Sequence, residues 1–286
     1  MRILVTGARG LVGGPLTKRL SASHEVLGLD LPEFDVRDAD ACNAAVARFR
    51  PDRVAHLAAW TDVDGAEKDE AGAAAVNDAG TRNVASACRT AGAAMLYVST
   101  DYVFDGRKGS PYREDDSVAP LSAYGRTKLA GERHVRALAP SWWIVRCQSI
   151  YGAGKKSFVD AILARAQSGQ PLSVVADQRV SPSWCEDVAE ALASVLLSAA
   201  PGLYLASNSG GCSWLECARA ALDLRGMQHV PIEPTTAAKL ARPAPRPAQS
   251  VFDCSKLEAA TGRRLRPWRD ALAAYLAVTA PKETPR

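Results

Sequence analysis

The sequence predicts an α/β protein that contains a doubly wound parallel sheet and a smaller C-terminal α/β lobe. Short apolar segments alternate with longer helical patterns through the first half of the chain, which favours parallel strands joined by helical crossovers. The apolar segments lack the alternation of a half-exposed strand, as expected when helices cover both faces of a sheet. After about residue 151 this rhythm changes, so the 286 residues predict two units.

The predicted elements follow one another in a regular order. In the first half the strands are residues 3–5, 25–29, 53–57, 95–99 and 143–146, and the helices are residues 11–22, 38–49, 66–91 and 122–139. In the second half the helices are residues 157–168, 187–199, 214–224 and 268–278, and the strands are residues 172–175 and 203–205. A proline-rich run at residues 242–247 cannot be helical, so it predicts an extended connector.

Composition excludes several classes of protein. With 47% apolar and 23% charged residues, the chain is unlike disordered, collagen-like or coiled-coil proteins. A formal net charge of +4 without a block of Lys and Arg gives no support for binding to nucleic acid or to a membrane surface.

The sequence predicts neither a membrane span nor a signal peptide. Residues 191–215 are uncharged, but Pro201, Gly202 and the polar residues 208–211 interrupt them, which argues against a membrane span. The first residues match a buried strand rather than a signal peptide. Seven cysteines without a C-x-x-C pair predict reduced thiols in a cytoplasmic protein, with neither a disulfide framework nor a metal site.

Three glycines separate the first predicted strand from the first predicted helix. Gly7, Gly10 and Gly13 let the backbone approach a pyrophosphate, which the helix N-terminus then holds. Glycines at these positions would also serve a simple tight turn. The acid Asp30 at the end of the second strand favours the binding function, because it can accept hydrogen bonds from an adenosine ribose. We therefore expect a Rossmann dinucleotide-binding domain at residues 1–150, and a lobe at residues 151–286 that mainly binds substrate and returns some segments to the first domain.

Two residues give opposite indications about the dinucleotide. The carboxylate of Asp30 favours NADH because it repels a 2′-phosphate, whereas Arg9 within the loop offers that phosphate a cation. The sequence therefore predicts that both NADPH and NADH are used.

A tyrosine and a lysine share one face of the predicted helix 122–139. Tyr124 and Lys128 are four residues apart, so their side chains lie about one turn from each other. A neighbouring cation stabilises a phenolate and brings its pKa closer to neutrality, as acid–base catalysis requires. Thr100 follows the fourth strand, where a hydroxyl can polarise a substrate carbonyl at the ligand-binding edge of a parallel sheet. Chance explains the pair of Tyr124 and Lys128 as an alternative, and turn formation by its hydroxyl explains Thr100.

Together these motifs resemble the extended short-chain dehydrogenase/reductases and, within them, the dTDP-4-dehydrorhamnose reductase family. The resemblance rests on Gly7-x-x-Gly10-x-x-Gly13, on the segment Ser-Thr-Asp-Tyr-Val-Phe-Asp-Gly at residues 99–106 and on Tyr124-Gly-Arg-Thr-Lys128. It covers nearly the whole chain. It implies reduction of the 4-keto group of a nucleotide-activated deoxysugar by NADPH or NADH, and it implies a homodimer.

The resemblance also implies roles for individual residues. Tyr124 would protonate the ketone oxygen, Lys128 would hold the nicotinamide ribose and lower the pKa of the tyrosine, and Thr100 would touch the sugar. The implied dinucleotide contacts are Gly7, Arg9, Gly10, Leu11, Val12, Gly13, Asp30, Asp35, Val36, Ala58, Ala59, Trp60, Tyr102, Tyr124 and Lys128. The implied sugar contacts are Thr100, Asp101, Tyr102 and Ser149.

Two departures from the family pattern fall on the substrate side. Ser149 stands where a tryptophan is common, and Ser157 stands where an asparagine is often expected. The reaction type is therefore better defined than the sugar, and another keto reductase of specialised metabolism remains an alternative.

Dehydration, epimerisation and a non-catalytic role are the alternatives to reduction. A dehydratase needs a further acid and base after strand four, and Tyr102 occupies the position of the dehydratase glutamate. A nucleotide-sugar 4-epimerase stays open as an alternative. So does a non-catalytic subunit similar to the regulatory subunit of methionine adenosyltransferase, although the intact tyrosine and lysine favour catalysis.

Overall fold

A computed structural model describes residues 1–154 and 157–279, which form an α/β fold around a six-stranded parallel sheet. The strands in these residues are β1 (Arg2–Thr6), β2 (Glu25–Leu29), β3 (Arg53–His56), β4 (Ala94–Thr100), β5 (Trp142–Cys147), β6 (Ile150–Tyr151), β7 (Leu172–Val175), β8 (Arg179–Val180), β9 (Ser183–Trp184), β10 (Gly202–Ala206), β11 (Cys212–Ser213) and β12 (Ile232–Thr235). The helices are α1 (Gly13–Leu20), α2 (Ala39–Phe49), α3 (Val63–Lys68), α4 (Glu70–Ala74), α5 (Thr81–Ala91), α6 (Ala123–Leu138), α7 (Phe158–Gln167), α8 (Cys185–Ser198), α9 (Trp214–Leu224), α10 (Ala237–Leu240), α11 (Ser255–Thr261) and α12 (Trp268–Val278).

The central sheet has the strand order β10-β5-β4-β3-β1-β2, and all its pairings are parallel. The chain order reverses between β1 and β3, where ligands bind in doubly wound sheets. The fold class and the five strands predicted in the first half are confirmed, with ends that differ by one residue at most. The burial of β1 along almost its whole length explains why its sequence does not alternate.

Helices cover both faces of this sheet. On one face α1 and α8 pack together through Leu16, Leu20 and Leu192. On the other face α2, α5 and α6 contribute Val46, Val84 and Val135 to a second core. Both faces are therefore removed from water.

The predicted strand at 203–205 is β10, and it lies in the central sheet rather than in the smaller lobe. It pairs with β5 from Gly202 opposite Trp143 to Ala206 opposite Cys147. The helix that precedes it, α8, belongs to the same layer, so part of the second half of the chain completes the first unit. A separate core, formed by α7, α9, α12 and β7, lies under the remainder of the second half.

The helical stretch predicted at 66–91 is confirmed except at Asp69: α3 ends before this residue, and α4, a π-helical segment (Ala75–Gly80) and α5 follow it without a gap. Asp69 causes this break. Its backbone has φ −138° and ψ 72°, outside the helical region, and its side chain accepts a hydrogen bond from the Gly72 amide at the start of α4. An aspartate that caps the next helix stabilises the break.

In the described residues no helix is long and apolar enough to cross a membrane. Nor do these residues contain a group of three or more His, Cys, Asp or Glu side chains that could hold a metal ion. All seven cysteines are free thiols.

Candidate active site

A cleft of about 810 Å³ opens where the chain leaves the carboxyl ends of the central strands. Its walls come from the glycine loop, from the segments after β2, β3, β4 and β5, and from one face of α6. Apart from Arg9, every site residue predicted from the sequence lines it: Gly7, Gly10, Leu11, Val12, Gly13, Asp30, Asp35, Val36, Ala58, Ala59, Trp60, Thr100, Asp101, Tyr102, Tyr124, Lys128 and Ser149.

The glycine loop leaves no room for side chains at any of its three glycines, since even on Gly10 a Cβ would lie 2.9 Å from the Gly7 carbonyl oxygen. Gly7 has φ +70°, and a Cβ there would lie 2.6 Å from the Ala58 nitrogen. A Cβ on Gly13 would lie 2.0 Å from the Gly7 carbonyl oxygen. Glycine is therefore required to bring the start of α1 against the end of β1.

The N-terminus of α1 is suited to an anion. No side chain caps this helix, and its first turn contains no acidic residue. Within the described residues the amides of Leu11 and Val12 donate to no protein acceptor, and both residues line the cleft. Free amides at a helix N-terminus bind phosphate groups, so this loop fits the pyrophosphate of a dinucleotide.

The Asp30 side chain contacts Arg9 at the Arg9 backbone amide. The Asp30 carboxylate accepts hydrogen bonds from the Arg9 amide at 2.7 Å and from the Leu31 amide at 2.9 Å, which fixes it at the end of β2. The Arg9 guanidinium is paired with Glu33 on the exposed surface and does not line the cleft. A 2′-phosphate would therefore compete with Glu33 for Arg9. Arg37, which the sequence did not single out, does line the cleft, and its guanidinium pairs with Asp35 and holds the pKa of that carboxyl below its usual range.

A buried asparagine fixes the wall opposite the loop. Asn77 lies in the π-helical segment, where its side chain accepts from the Trp60 amide at 2.9 Å and donates to the Trp60 carbonyl at 3.1 Å. It also donates to the Thr127 hydroxyl of α6 at 3.1 Å. Asn77 thus joins the segment after β3 to the helix that carries Tyr124 and Lys128.

Tyr124 stands at the inner end of the cleft. Burial raises the pKa of its phenol, and the neighbouring Thr100 hydroxyl acts in the opposite direction. The Tyr102 ring packs edge-on against the Tyr124 ring with centroids 5.4 Å apart. A buried phenol of this kind stays protonated at neutral pH and is ready to act as a proton donor.

Lys128 is buried one turn further along α6. Its Nζ lies 4.1 Å from the centroid of the Tyr97 ring, within reach of a cation–π contact. Burial lowers the pKa of this ammonium to about 7, and Glu132 acts in the opposite direction. The idea that Lys128 lowers the pKa of Tyr124 remains a prediction, because burial dominates the titration of both groups.

Asp101 adds a second buried ionisable group beside the tyrosine. Thr100 donates a hydrogen bond of 3.1 Å to Asp101 and accepts one of 3.2 Å from the Tyr102 amide. Burial raises the pKa of the Asp101 carboxyl to about 6, although hydrogen bonds with Ser250 and Thr100 oppose the shift.

Several residues that support the cleft escaped the sequence analysis. Gln148 lines the cleft, donates to the Ser250 carbonyl at 2.7 Å and accepts from the Ser181 amide at 3.0 Å. Arg246 forms a hydrogen-bonded ion pair with Asp64 at 2.8 Å. These contacts join residues 102 and 182 positions apart in the chain, so no local pattern indicates them. The family resemblance also extends to the segment Arg246-Pro247-Ala-Gln-Ser250, and this segment is the one signal in the sequence that points to them.

The two departures on the substrate side have different positions. Ser149 lines the cleft and has φ +47°, an uncommon conformation for a residue with a side chain. Ser157 caps α7 by accepting from the Asp160 amide, and it is absent from the cleft lining.

A glycine loop with free amides that opens onto a buried tyrosine and lysine is the arrangement of the extended short-chain dehydrogenase/reductases. The chain is an NAD(P)H-dependent oxidoreductase of this class. Comparison with known proteins narrows the class, because the RmlD substrate binding domain model matches residues 1–280. The chain belongs to this family.

Individual relatives are similar over nearly their whole lengths. The chain is 44% identical to dTDP-4-dehydrorhamnose reductase of Streptomyces griseus, over 95% of this chain and 91% of the relative. It is 39% identical to a probable dTDP-4,6-dihydroxy-2-methyloxan-3-one 4-ketoreductase of Streptomyces antibioticus, over 95% and 93% respectively. A solved dTDP-4-dehydrorhamnose reductase of Bacillus anthracis in complex with NADP has a TM-score of 0.93 at 32% identity, covering 97% of this chain and 99% of that one.

Proposed function

We propose that the protein reduces the C4 ketone of a nucleotide-activated deoxysugar, with NADPH or NADH as the reductant. The observation that carries this proposal is the placement of Tyr124, Lys128 and Thr100 in the same cleft as the glycine loop with its free amides. The relatives named above act on sugars of this kind.

Each residue of the site has a separate role in the reduction. When bound, the reduced dinucleotide supplies the hydride. The amides of Leu11 and Val12 hold the pyrophosphate, and Asp30 accepts from the adenosine ribose. Tyr124 gives its phenolic proton to the ketone oxygen as negative charge develops there. Lys128 binds the nicotinamide ribose.

Two further parts of the proposal concern organisation. Residues 1–150 bind mainly the dinucleotide, and residues 151–286 bind mainly the sugar nucleotide, while α8 and β10 return to the central sheet. A homodimer and a cytoplasmic location also belong to the proposal. Sedimentation of the purified protein tests the dimer.

Dehydration and epimerisation are the chemical alternatives. Tyr102 lines the cleft beside Tyr124, where a dehydratase needs a carboxylate. A 4-epimerase returns the hydride to the other face of the sugar, so it consumes no reduced cofactor over a full turnover.

The test follows absorbance at 340 nm with 4-keto sugar nucleotides and either reduced cofactor. Oxidation of the cofactor by the wild-type protein supports the reductase. If no oxidation occurs with any of these substrates, conversion of a nucleotide sugar to its C4 epimer supports the epimerase, and no conversion supports the non-catalytic alternative. Tyr124→Phe should lower kcat by roughly 10²–10⁴-fold because only the proton donor is lost. Cofactor binding by fluorescence titration is the control, and near-normal turnover of this variant would exclude Tyr124 as the donor.

A further inference from the structure

Thr100 has a single proton, and the structure shows where that proton goes. A threonine hydroxyl can donate one hydrogen bond and accept two. Thr100 accepts from the Tyr102 amide and donates to Asp101 Oδ1 at 3.1 Å. These two contacts leave one lone pair of the Thr100 oxygen unused. In this arrangement Thr100 has no hydrogen left to give to a ketone.

The ionisation of Asp101 decides whether this arrangement can change. An ionised carboxylate accepts hydrogen bonds more strongly than a neutral ketone does, because its bonds are charge-assisted. A protonated carboxyl is itself a donor. It can give its hydrogen bond to the Thr100 oxygen, which leaves the Thr100 hydrogen free to point into the cleft.

We propose that Asp101 sets the direction of the Thr100 hydroxyl, so that Thr100 donates to the substrate ketone only while the Asp101 carboxyl is protonated. This inference rests on the proposed function and assigns Asp101 as a positioning residue, rather than the sugar contact that the family resemblance implies. No proton leaves Asp101 in the reaction, since Tyr124 remains the proton donor and Thr100 contributes a hydrogen bond.

Protonation of Asp101 favours the reaction in a second way. The negative charge of Asp101 raises the pKa of Tyr124, and its loss makes the phenol a stronger acid. Four groups face Asp101. They are Tyr124 from α6, Tyr102 from its own segment, Cys147 from β5 and Ser250, which follows the connector. Since burial already places the pKa of Asp101 near 6, the change falls within the range in which the enzyme can be assayed.

The kinetic test compares Asp101→Asn with wild type between about pH 5 and pH 8, a range that spans the usual pKa of a perturbed carboxyl. Wild-type kcat should rise several-fold as the pH falls through 6. Asp101→Asn imitates the protonated carboxyl, so its kcat at the alkaline end should equal or exceed that of wild type and should vary less with pH. Persistence of the wild-type profile in the variant, or a uniform loss of activity with a raised KM, would overturn the proposal.

Thr100→Val provides the matched comparison. If Asp101 acts mainly through Thr100, adding Asp101→Asn to Thr100→Val should change the pH profile much less than Asp101→Asn changes that of wild type, because only the direct effect of the Asp101 charge on Tyr124 is left. An effect of Asp101→Asn as large in the Thr100→Val background as in wild type contradicts the proposal. Lys128 also titrates near neutral pH. Because both proteins in each comparison contain Lys128, its contribution to the pH profile is the same in both.

An infrared titration tests the inference without turnover. The carbonyl stretch of a protonated carboxyl should appear as the pH falls through 6, and it should be missing in Asp101→Asn. In Thr100→Val its midpoint should move to higher pH, because the Thr100 hydrogen bond stabilises the carboxylate. A midpoint unchanged by Thr100→Val overturns the proposal. Since this titration needs no substrate, its result stands apart from any failure of the reductase assay.

Discussion

Lys128 places an ammonium group where almost no water reaches it. Its side chain is 2% exposed, and burial lowers its pKa to about 7, whereas a lysine in an unfolded chain titrates near ~10.4. Between these two pH values the unfolded chain binds more protons than the folded one. Stability contributed through this group therefore rises as the pH increases from about 7 towards ~10.4.

We predict that Lys128→Met stabilises the fold near neutral pH while it abolishes turnover. The free energy of unfolding in denaturant should exceed that of wild type at about pH 7, and the difference should shrink as the pH approaches ~10. Lys18→Met, at an exposed position of α1, is the control and should show no such dependence. If the variant is less stable than wild type at neutral pH, the contacts of the ammonium stabilise the fold by more than its burial destabilises it.

Arg9 and Glu33 supply a prediction about the choice of cofactor. Because Glu33 neutralises the Arg9 guanidinium, Glu33→Gln should free the cation and lower the KM for NADPH several-fold, with little change for NADH. Arg9→Ala should raise the KM for NADPH. Glu25→Gln breaks the exposed pair with Arg2 near the other end of β2 and is the control. Equal changes for the two cofactors would mean that Arg9 does not meet the 2′-phosphate.

The contacts of individual residues explain what sequence alone could predict about the site. The glycines, Tyr124 and Lys128 are recognisable because their function requires a fixed local spacing on one loop or one helix. Asp101 was predicted as a sugar contact, yet its relation to Thr100 depends on burial and on hydrogen-bond direction, which no spacing encodes. Gln148 and Ser250 meet only because distant segments return to the same edge of the sheet.

At the scale of elements, the π-helical segment carries more of the site than its six residues suggest. Its wider turn brings Asn77 to the backbone of Trp60 and to Thr127 of α6. π-helical turns often occur at functional positions in helices. Here the segment holds the dinucleotide-binding wall and the catalytic helix at one fixed separation.

Asn77→Ala should therefore lower stability and turnover together. Loss of the side chain leaves the buried Trp60 amide without its acceptor, which costs about 1–3 kcal/mol. Thermal unfolding and kcat are the measurements, and kcat should fall further than the loss of folded protein explains. Asn83→Ala, which removes hydrogen bonds to Val36 and Arg37, is the matched control. Full activity in the folded Asn77→Ala protein would refute a positioning role.

The elements also show where sequence patterns succeed and fail. Buried parallel strands are short apolar runs, and their length together with the helical patterns between them predicts all five in the first half. The alanines of the segment 66–91 favour helix throughout and predict one uninterrupted helix. The break at Asp69 depends on one side chain capping the following helix, and a composition rich in helix formers conceals it.

At the scale of the whole molecule, one ion pair links the connector at 242–247 to the dinucleotide-binding side. Arg246 contacts both carboxylate oxygens of Asp64, and the same carboxylate accepts from the Ala244 amide at 3.1 Å. The pair is partly buried, and the Arg246 charge opposes the rise in the pKa of Tyr102 that burial causes, so it lies near this residue of the cleft. The connector is thereby held against α3, near the aromatic ring that packs on Tyr124.

Arg246→Gln should loosen this attachment and weaken substrate binding. We expect KM for the sugar nucleotide to rise about tenfold, equivalent to about 1.4 kcal/mol, while the Kd of the cofactor stays the same. Hydrogen exchange of the connector amides should become faster. Arg263→Gln, in an exposed pair with Glu190, is the control. An unaltered KM combined with faster exchange would confine the role of Arg246 to stability.

The late position of β10 in the chain has a consequence for synthesis on the ribosome. The outer edge of β5 stays without its neighbour until about sixty further residues have been translated, because β10 begins at Gly202 and β5 ends at Cys147. During that interval the nascent protein exposes an unpaired strand edge together with the α1 surface that α8 later covers. Chaperones that bind apolar strands have their target here, and a pause in translation before β10 would lengthen the period of risk for aggregation.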